Sequence, residues 1–284
     1  MNLPNLICIG AEKSGTTTLY NILSNNKDIF AIRKETEFFT FLNKKKTKNY
    51  YIDNLIEYKK LFKKFNNQKY ALDVSTTYLP SDTAINNIFN LCDDPKIIIC
   101  LRNPVSRAYS RYWMAAKTDY SLNILSFEKF KYFFLNHNNN QFNWNNIRYR
   151  GMYYNQIKKY YEKFDKKNIL IIFYEDLKNK NQLELKLSEF LNIDINYNQD
   201  IYAESLYSKN KLIHKLFNFS FNFYIPETRF LQFLKKIFRK IRKIFLNKYP
   251  EMSDEIREYL TQYYLEDMKK TENLLNISLK HWYN

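Results

Sequence analysis

Short, continuous apolar runs alternate along the 284 residues with stretches in which apolar positions recur every three to four residues. The runs at 5–9, 70–73, 96–101 and 169–173, with a shorter one near 29–32, predict strands buried on both faces. The periodic stretches predict helices near 16–25, 53–65, 82–91, 104–117, 126–136, 152–164, 181–191, 227–246 and 253–275. Strand and helix in alternation imply an α/β chain, a P-loop-like three-layer α/β/α arrangement around a central parallel sheet. The ligand site of such a sheet lies at the carboxyl ends of its strands. Segment 137–150, rich in Asn and aromatics, has no periodicity and reads as a loop.

Two of these strand ends carry candidate chemistry. The chain has only three glycines, and Gly10 and Gly15 bracket Gly10-Ala-Glu-Lys-Ser-Gly-Thr-Thr17 directly after Leu6-Ile-Cys-Ile9. A strand, a glycine turn and a helix beginning near Thr16 aim backbone N–H groups and a positive helix end at one spot, which suits a phosphate. A plain strand-to-helix turn is the alternative. The glycine spacing is that of a Walker A loop, but Thr16-Thr17 replaces the Lys-Ser/Thr expected after the second glycine, and the lysine stands at Lys13.

The second strand end reads Arg102-Asn-Pro-Val-Ser-Arg-Ala-Tyr-Ser-Arg111. Pro104 suits the first turn of a helix, which puts Arg107, Ser110 and Arg111 within about one turn of each other. An arginine fork grips a phosphate through two bonds where lysine is a point charge, and three of the chain's ten arginines fall between 102 and 111. A solvated basic face is the competing reading.

Composition narrows the classes. A net charge of +16 favours an anionic cofactor, an anionic substrate or a membrane surface, although the joint abundance of Lys, Asn, Ile, Phe and Tyr points to AT-rich coding for part of it. With 45% hydrophobic and 18% aromatic residues and no Pro-, Gly- or Ser-rich linker, one domain over 1–284 is expected. Cys8, Cys92 and Cys100 are odd in number and lack metal-ligand spacing, and His137, His214 and His281 are scattered, so no metal site is assigned. A first strand beginning by Leu6 leaves no room for a signal segment, and no window approaches 18 apolar residues, so a cytoplasmic location is expected. Residues 226–248 combine an apolar stripe with Lys and Arg on the other faces. That segment either packs on the domain or makes peripheral contact with the inner membrane.

The two motifs together resemble the sulfotransferases that use 3′-phosphoadenosine 5′-phosphosulfate (PAPS), nearest to the bacterial carbohydrate, heparan-sulfate-type members. Lys13, Gly15, Thr16 and Thr17 match the family's K-x-G-T-[ST] loop, and Arg102 through Ser110 match its R-x-P-x-x-R-x-x-S segment. The resemblance implies that Lys13, Ser14, Gly15, Thr16, Thr17 and Thr18 hold the 5′-phosphosulfate, and that Arg102 and Ser110 hold the 3′-phosphate. Arg33-Lys-Glu-Thr-Glu-Phe-Phe39 is similar to K-E-x-x-F-F, whose glutamate is the catalytic base; Glu35 is that residue here and Glu37 its rival. Cytosolic small-molecule sulfotransferases place a histidine base between the two donor motifs, and no histidine precedes His137.

Asp73-Val-Ser-Thr-Thr-Tyr78 resembles the family's G-E-x-S-P-x-Y without its glycine and proline, and Val74 stands where heparan-type enzymes carry a lysine. Gly151-Met-Tyr153 and Tyr174-Glu-Asp-Leu177 match two further family segments. Tyr174 is thereby a candidate adenine contact, or a strand-end aromatic that packs the core. Lys209 or Lys211 falls where relatives close a loop over the nucleotide, and a solvated loop is the alternative. The implied activity is sulfuryl transfer from PAPS, with no metal, to a hydroxyl or amine of a carbohydrate or glycolipid, with Lys13 and Glu35 as catalytic groups. Two other classes compete: a P-loop kinase with Asp73 as a Mg²⁺ carboxylate, and a non-catalytic basic module binding membrane or nucleic acid.

Overall fold

In the computed structural model, β1 (Leu6–Gly10) lies at the middle of a five-stranded sheet with β2 (Ile29–Ala31), β3 (Tyr70–Val74), β4 (Lys96–Leu101) and β5 (Ile169–Phe173), in the order β2-β3-β1-β4-β5. Every pairing is parallel. The structure describes residues 3–42, 52–116, 119–123, 125–136, 146–197 and 249–283. Lys209, Lys211 and the expected helix 227–246 lie outside the described residues, as does most of the expected loop 137–150.

The uninterrupted apolar runs follow from burial on both faces. Ile7, Ile9, Ile97, Ile99 and Leu101 point into one core, while Leu6, Cys8, Ile98 and Cys100 point into the other. A period of two divides each strand between two cores, so a polar residue on either face needs buried partners of its own, as Asp73 of β3 has. Each fully buried aliphatic contributes roughly 1.5–3 kcal/mol. The smaller core is closed by Leu19, Ile22 and Leu23 of α1 (Thr16–Ser24) and by Leu183, Leu187 and Leu191 of α8 (Lys180–Leu191). The larger is closed by α4 (Asp82–Leu91), α5 (Pro104–Ala115), α6 (Phe127–Asn136), α7 (Tyr153–Lys163) and α9 (Asp254–Leu275).

Local chemistry sets the helix starts. Ser81 caps α4 by accepting from the Ala84 N–H, Asn103 caps α5 at the Val105 N–H with Pro104 following it, and Ser253 caps α9 at Ile256. The start of α7 is capped from a distance: Asp267 of α9 accepts from the Tyr153 N–H at 2.7 Å and from the Tyr154 N–H at 3.3 Å. This requires α9 to approach the Gly151 backbone so closely that a Cβ there would lie 2.7 Å from the Tyr264 ring. Gly151 is therefore a packing glycine.

Two expectations shift. The helix expected over 53–65 is only α3 (Leu55–Lys60), capped by Asn54, because the chain turns at 61–64. A short α2 (Phe38–Phe41) was not legible, since four residues are too few to show a helical period.

Candidate active site at the strand ends

The loop after β1 is shaped by its glycines. Gly10 and Gly15 adopt φ of 144° and 89°, and a Cβ on Gly15 would come within 2.1 Å of Leu177 Cδ1. Gly15 forms the N-cap of α1 without a side-chain cap, and no acidic residue lies in the first turn. The first amides of α1 therefore present an electropositive end that no carboxylate of that turn neutralises.

Of the loop residues singled out from sequence, Ser14 is fully buried beside Tyr153, Thr16 and Thr18 are buried, and Thr17 is exposed. Lys13 takes a left-handed backbone at φ 65°, and its Nζ lies 3.7 Å from Met114 Sδ. Burial pulls the Lys13 ammonium below its ordinary pKa, opposed by the neighbouring Glu12 carboxylate.

Arg102 leaves β4 toward this loop, donating from Nη1 to the Lys13 carbonyl at 3.2 Å. Its guanidinium lies 4.4 Å over the Tyr174 ring, and its own carbonyl accepts from the Tyr153 hydroxyl at 2.9 Å. Tyr174 thus supports an arginine while packing against the edge of the smaller core, and it also flanks Gly15. Ser110 sits two turns into α5, buried at 5% exposure.

The remaining arginines of this segment do not form a solvated face. Arg107, fully buried, donates to the Ile147 carbonyl, and it shares Glu12 with Arg111 and Arg150 at 3.9, 3.3 and 3.0 Å respectively. Burial alone would raise the Glu12 carboxyl, but Arg150, Arg111 and Arg107 together hold it down to about 2. An acid inside the phosphate-type loop thereby ties that loop to α5 and to the turn at 149–151.

Glu35 stands across the loop at the end of β3. Its N–H donates to the Val74 carbonyl at 2.9 Å, and its Oε2 accepts from the Thr76 N–H at 2.9 Å and the Thr76 hydroxyl at 3.2 Å. Glu37 is held by its N–H to Ser75 Oγ at 3.1 Å, and one of its carboxylate oxygens is buried. Between the Glu35 strand end and the loop lies Lys34, whose Nζ donates to Thr17 Oγ1 at 2.9 Å and Thr16 Oγ1 at 3.2 Å and stands 3.6 Å from Glu35 Oε1. Sequence reasoning passed over Lys34, although its place beside Glu35 was the available signal.

Asp73 does not reach this opening. It is fully buried and accepts from the hydroxyls of Tyr58 at 2.6 Å, Tyr78 at 2.7 Å and Thr36 at 3.1 Å. Burial pushes its carboxyl up to about 6 against the pull of these donors. A carboxylate so enclosed has no open position to offer a Mg²⁺ ion, which removes the feature on which the kinase reading rested. Among the described residues, no group of three or more His, Cys, Asp or Glu side chains has metal-holding geometry.

Lys13, Lys34 and Arg102 thus converge on an open helix start, with a glutamate beside them. Such a site can hold an anionic donor and deprotonate a neighbouring group. Comparison with known proteins agrees in kind. The chain matches the sulfotransferase domain over residues 3–272. It is 32% identical over 114 residues to the membrane-associated sulfotransferase kil1 of Dictyostelium discoideum, covering 39% of this chain and 22% of that protein. It is also 32% identical over 111 residues to the bifunctional heparan sulfate N-deacetylase/N-sulfotransferase 1 of Xenopus tropicalis, covering 38% and 12%. The match to mouse heparan sulfate glucosamine 3-O-sulfotransferase 6 is 28% over 109 residues, covering 38% and 30%, so the chain spans less than a third of each relative's length. The crystal structure of a sulfotransferase from Alicyclobacillus acidocaldarius shares the fold along the full length of both chains, with a TM-score of 0.71 at 23% identity. No described helix is long and apolar enough to cross a membrane. With the domain matched over residues 3–272, nearly the whole chain, this chain belongs to the sulfotransferase domain family.

Proposed function

We propose that the chain is a single-domain enzyme that transfers a sulfuryl group from PAPS to a hydroxyl or amine of a carbohydrate or glycolipid acceptor. The observation that carries this reading is the glycine-formed start of α1, left without an acidic residue in its first turn and met by Lys13, Lys34 and Arg102, with Glu35 on the adjoining strand end. A cradle of amides and cations suits the 5′-phosphosulfate, since fixed donors stabilise charge that grows as the leaving group departs. Arg102, anchored by Tyr153 and Tyr174, and Ser110 are assigned to the 3′-phosphate. The names of the relatives, which include heparan sulfate enzymes, support a carbohydrate acceptor. The assignment of Lys209 to the nucleotide and of 226–248 to a membrane surface stands on sequence alone.

In the reaction, the acceptor oxygen or nitrogen forms a bond to sulfur in line as the bond from sulfur to the bridging oxygen breaks. The electron pair passes to the 5′-phosphate of adenosine 3′,5′-bisphosphate, and the acceptor proton passes to Glu35. Thr76 holds Oε2 by two bonds, which leaves Oε1 for that proton.

The test is thermal stabilisation by adenosine 3′,5′-bisphosphate against ATP-Mg²⁺. A ligand at 100 times its dissociation constant stabilises by about 2.7 kcal/mol, and a clear shift with the bisphosphate that needs no metal is expected. A larger shift with ATP-Mg²⁺ overturns the proposal. Glu35→Gln is expected to lower transfer by about 10²–10⁴ with bisphosphate affinity kept within a few-fold, whereas Glu37→Gln does much less. Near-normal transfer by Glu35→Gln eliminates that residue as the base.

A further inference from the structure

Lys34 is placed as few surface lysines are. Its side chain is 17% exposed, and its ammonium points at the start of α1, where the helix dipole disfavours a cation. Its charge also adds to that of Arg102 in depressing the Lys13 ammonium. Three cations and a positive helix end in one place repel each other, and the arrangement gains stability when an anion enters. Glu35 supplies a partial answer through Oε1 at 3.6 Å, the oxygen that Thr76 does not hold.

We infer that Lys34 is a further catalytic residue, which binds the sulfuryl group of the donor and couples donor binding to release of the base. Resting on the sulfuryl-transfer reading above, this role divides the cradle. The loop amides and Lys13 serve the phosphate that both PAPS and its product carry, while Lys34 serves the group that only PAPS carries. Without donor, Lys34 bridges Glu35 Oε1 and the two threonine hydroxyls. With donor, the ammonium turns to the sulfuryl oxygens, and Oε1 is released to accept the acceptor proton. The base is then fully available only when there is a sulfuryl group to transfer.

The experiment compares PAPS and adenosine 3′,5′-bisphosphate binding by calorimetry, together with transfer, in wild type, Lys34→Met, Lys34→Gln and Lys13→Met. Lys34→Gln keeps a polar side chain without the charge and Lys34→Met keeps the length of the stem, so a defect shared by both variants at unchanged melting temperature is electrostatic. Expected for both are PAPS affinity lowered tenfold or more, bisphosphate affinity within about threefold, and turnover lowered by about 10²–10³, as for loss of one oxyanion-type donor. Lys13→Met is expected to weaken both nucleotides. A wild-type preference between the two nucleotides and wild-type turnover in the Lys34 variants overturn the inference and leave the sulfuryl-transfer reading standing. Equal loss of both nucleotides in those variants also overturns it, by assigning Lys34 to the bisphosphate. Wild-type protein that binds neither nucleotide overturns the sulfuryl-transfer reading itself.

Discussion

Two buried carboxylates hold the two halves of this site, and they do so by opposite means. Glu12 sits among Arg107, Arg111 and Arg150 and is held ionised, with its carboxyl down at about 2. Asp73 sits among the hydroxyls of Tyr58, Tyr78 and Thr36, with its carboxyl pushed up to about 6. The first fastens the donor-side loop to α5. The second fastens the segment carrying Glu35, because Thr36 bonds Asp73 while the Glu35 N–H pairs with β3 at Val74. A charge cage is strong but leaves its cations repelling one another when its centre is lost, whereas a hydroxyl cage degrades gradually, since a hydroxyl can turn to another partner.

The largest expected effect is therefore at Glu12. Glu12→Gln leaves the cationic cluster without its anion and is expected to destabilise the protein by about 3–5 kcal/mol, measured by urea unfolding. A loss below about 1 kcal/mol would show that the arginines reach solvent or another acceptor, and the contrast with Asp73 would collapse.

Asp73→Asn is expected to cost about 1–3 kcal/mol at neutral pH, because the amide cannot accept every bond that the carboxylate accepts. The pH dependence separates the two cages further. Glu12 binds its proton more weakly in the folded state, so its contribution is present above about pH 4.5 and is lost as pH falls toward 2. Asp73 binds its proton more tightly in the folded state, so its contribution is present below about pH 4 and is lost as pH rises through 6. Stability of Asp73→Asn should accordingly fall less steeply between pH 4 and 6 than that of the wild type, the remaining decline coming from Asp267, whose carboxyl burial also pushes up to about 6, a comparison made by thermal melts across that range. An identical decline in both proteins would dissociate Asp73 from that limb.

The smallest effect belongs to Thr36→Val, which keeps shape and removes one of the donors to Asp73. A loss of about 0.5–1.5 kcal/mol is expected, with transfer falling more than bisphosphate binding because Thr36 adjoins Glu35. Equal loss of both functions would mean that the two halves of the site are not held separately.

The sequence by itself determined the strands, since strands buried on both faces read as short apolar runs, and it determined the two donor motifs, since a glycine turn followed by Thr-Thr and an arginine before Pro104 are local patterns. Family resemblance then singled out Glu35, which no periodicity marks. Tertiary structure alone decided the strand order β2-β3-β1-β4-β5 and the pairings that cross it. Glu12 reads as an ordinary loop acid until Arg150, 138 positions later, arrives 3.0 Å away, and Arg107 and Arg111 read as phosphate ligands until that same acid claims them. Asp73 reads as a metal carboxylate until Tyr58 and Tyr78 close over it. Lys34 reads as one lysine among many until the segment after β2 lays its ammonium against the two threonines of α1. Backbone periodicity is a property of neighbours and leaves its mark on the chain, but partners of a buried charge come from different elements, and only their packing together sets whether that charge is caged, shared or free to act.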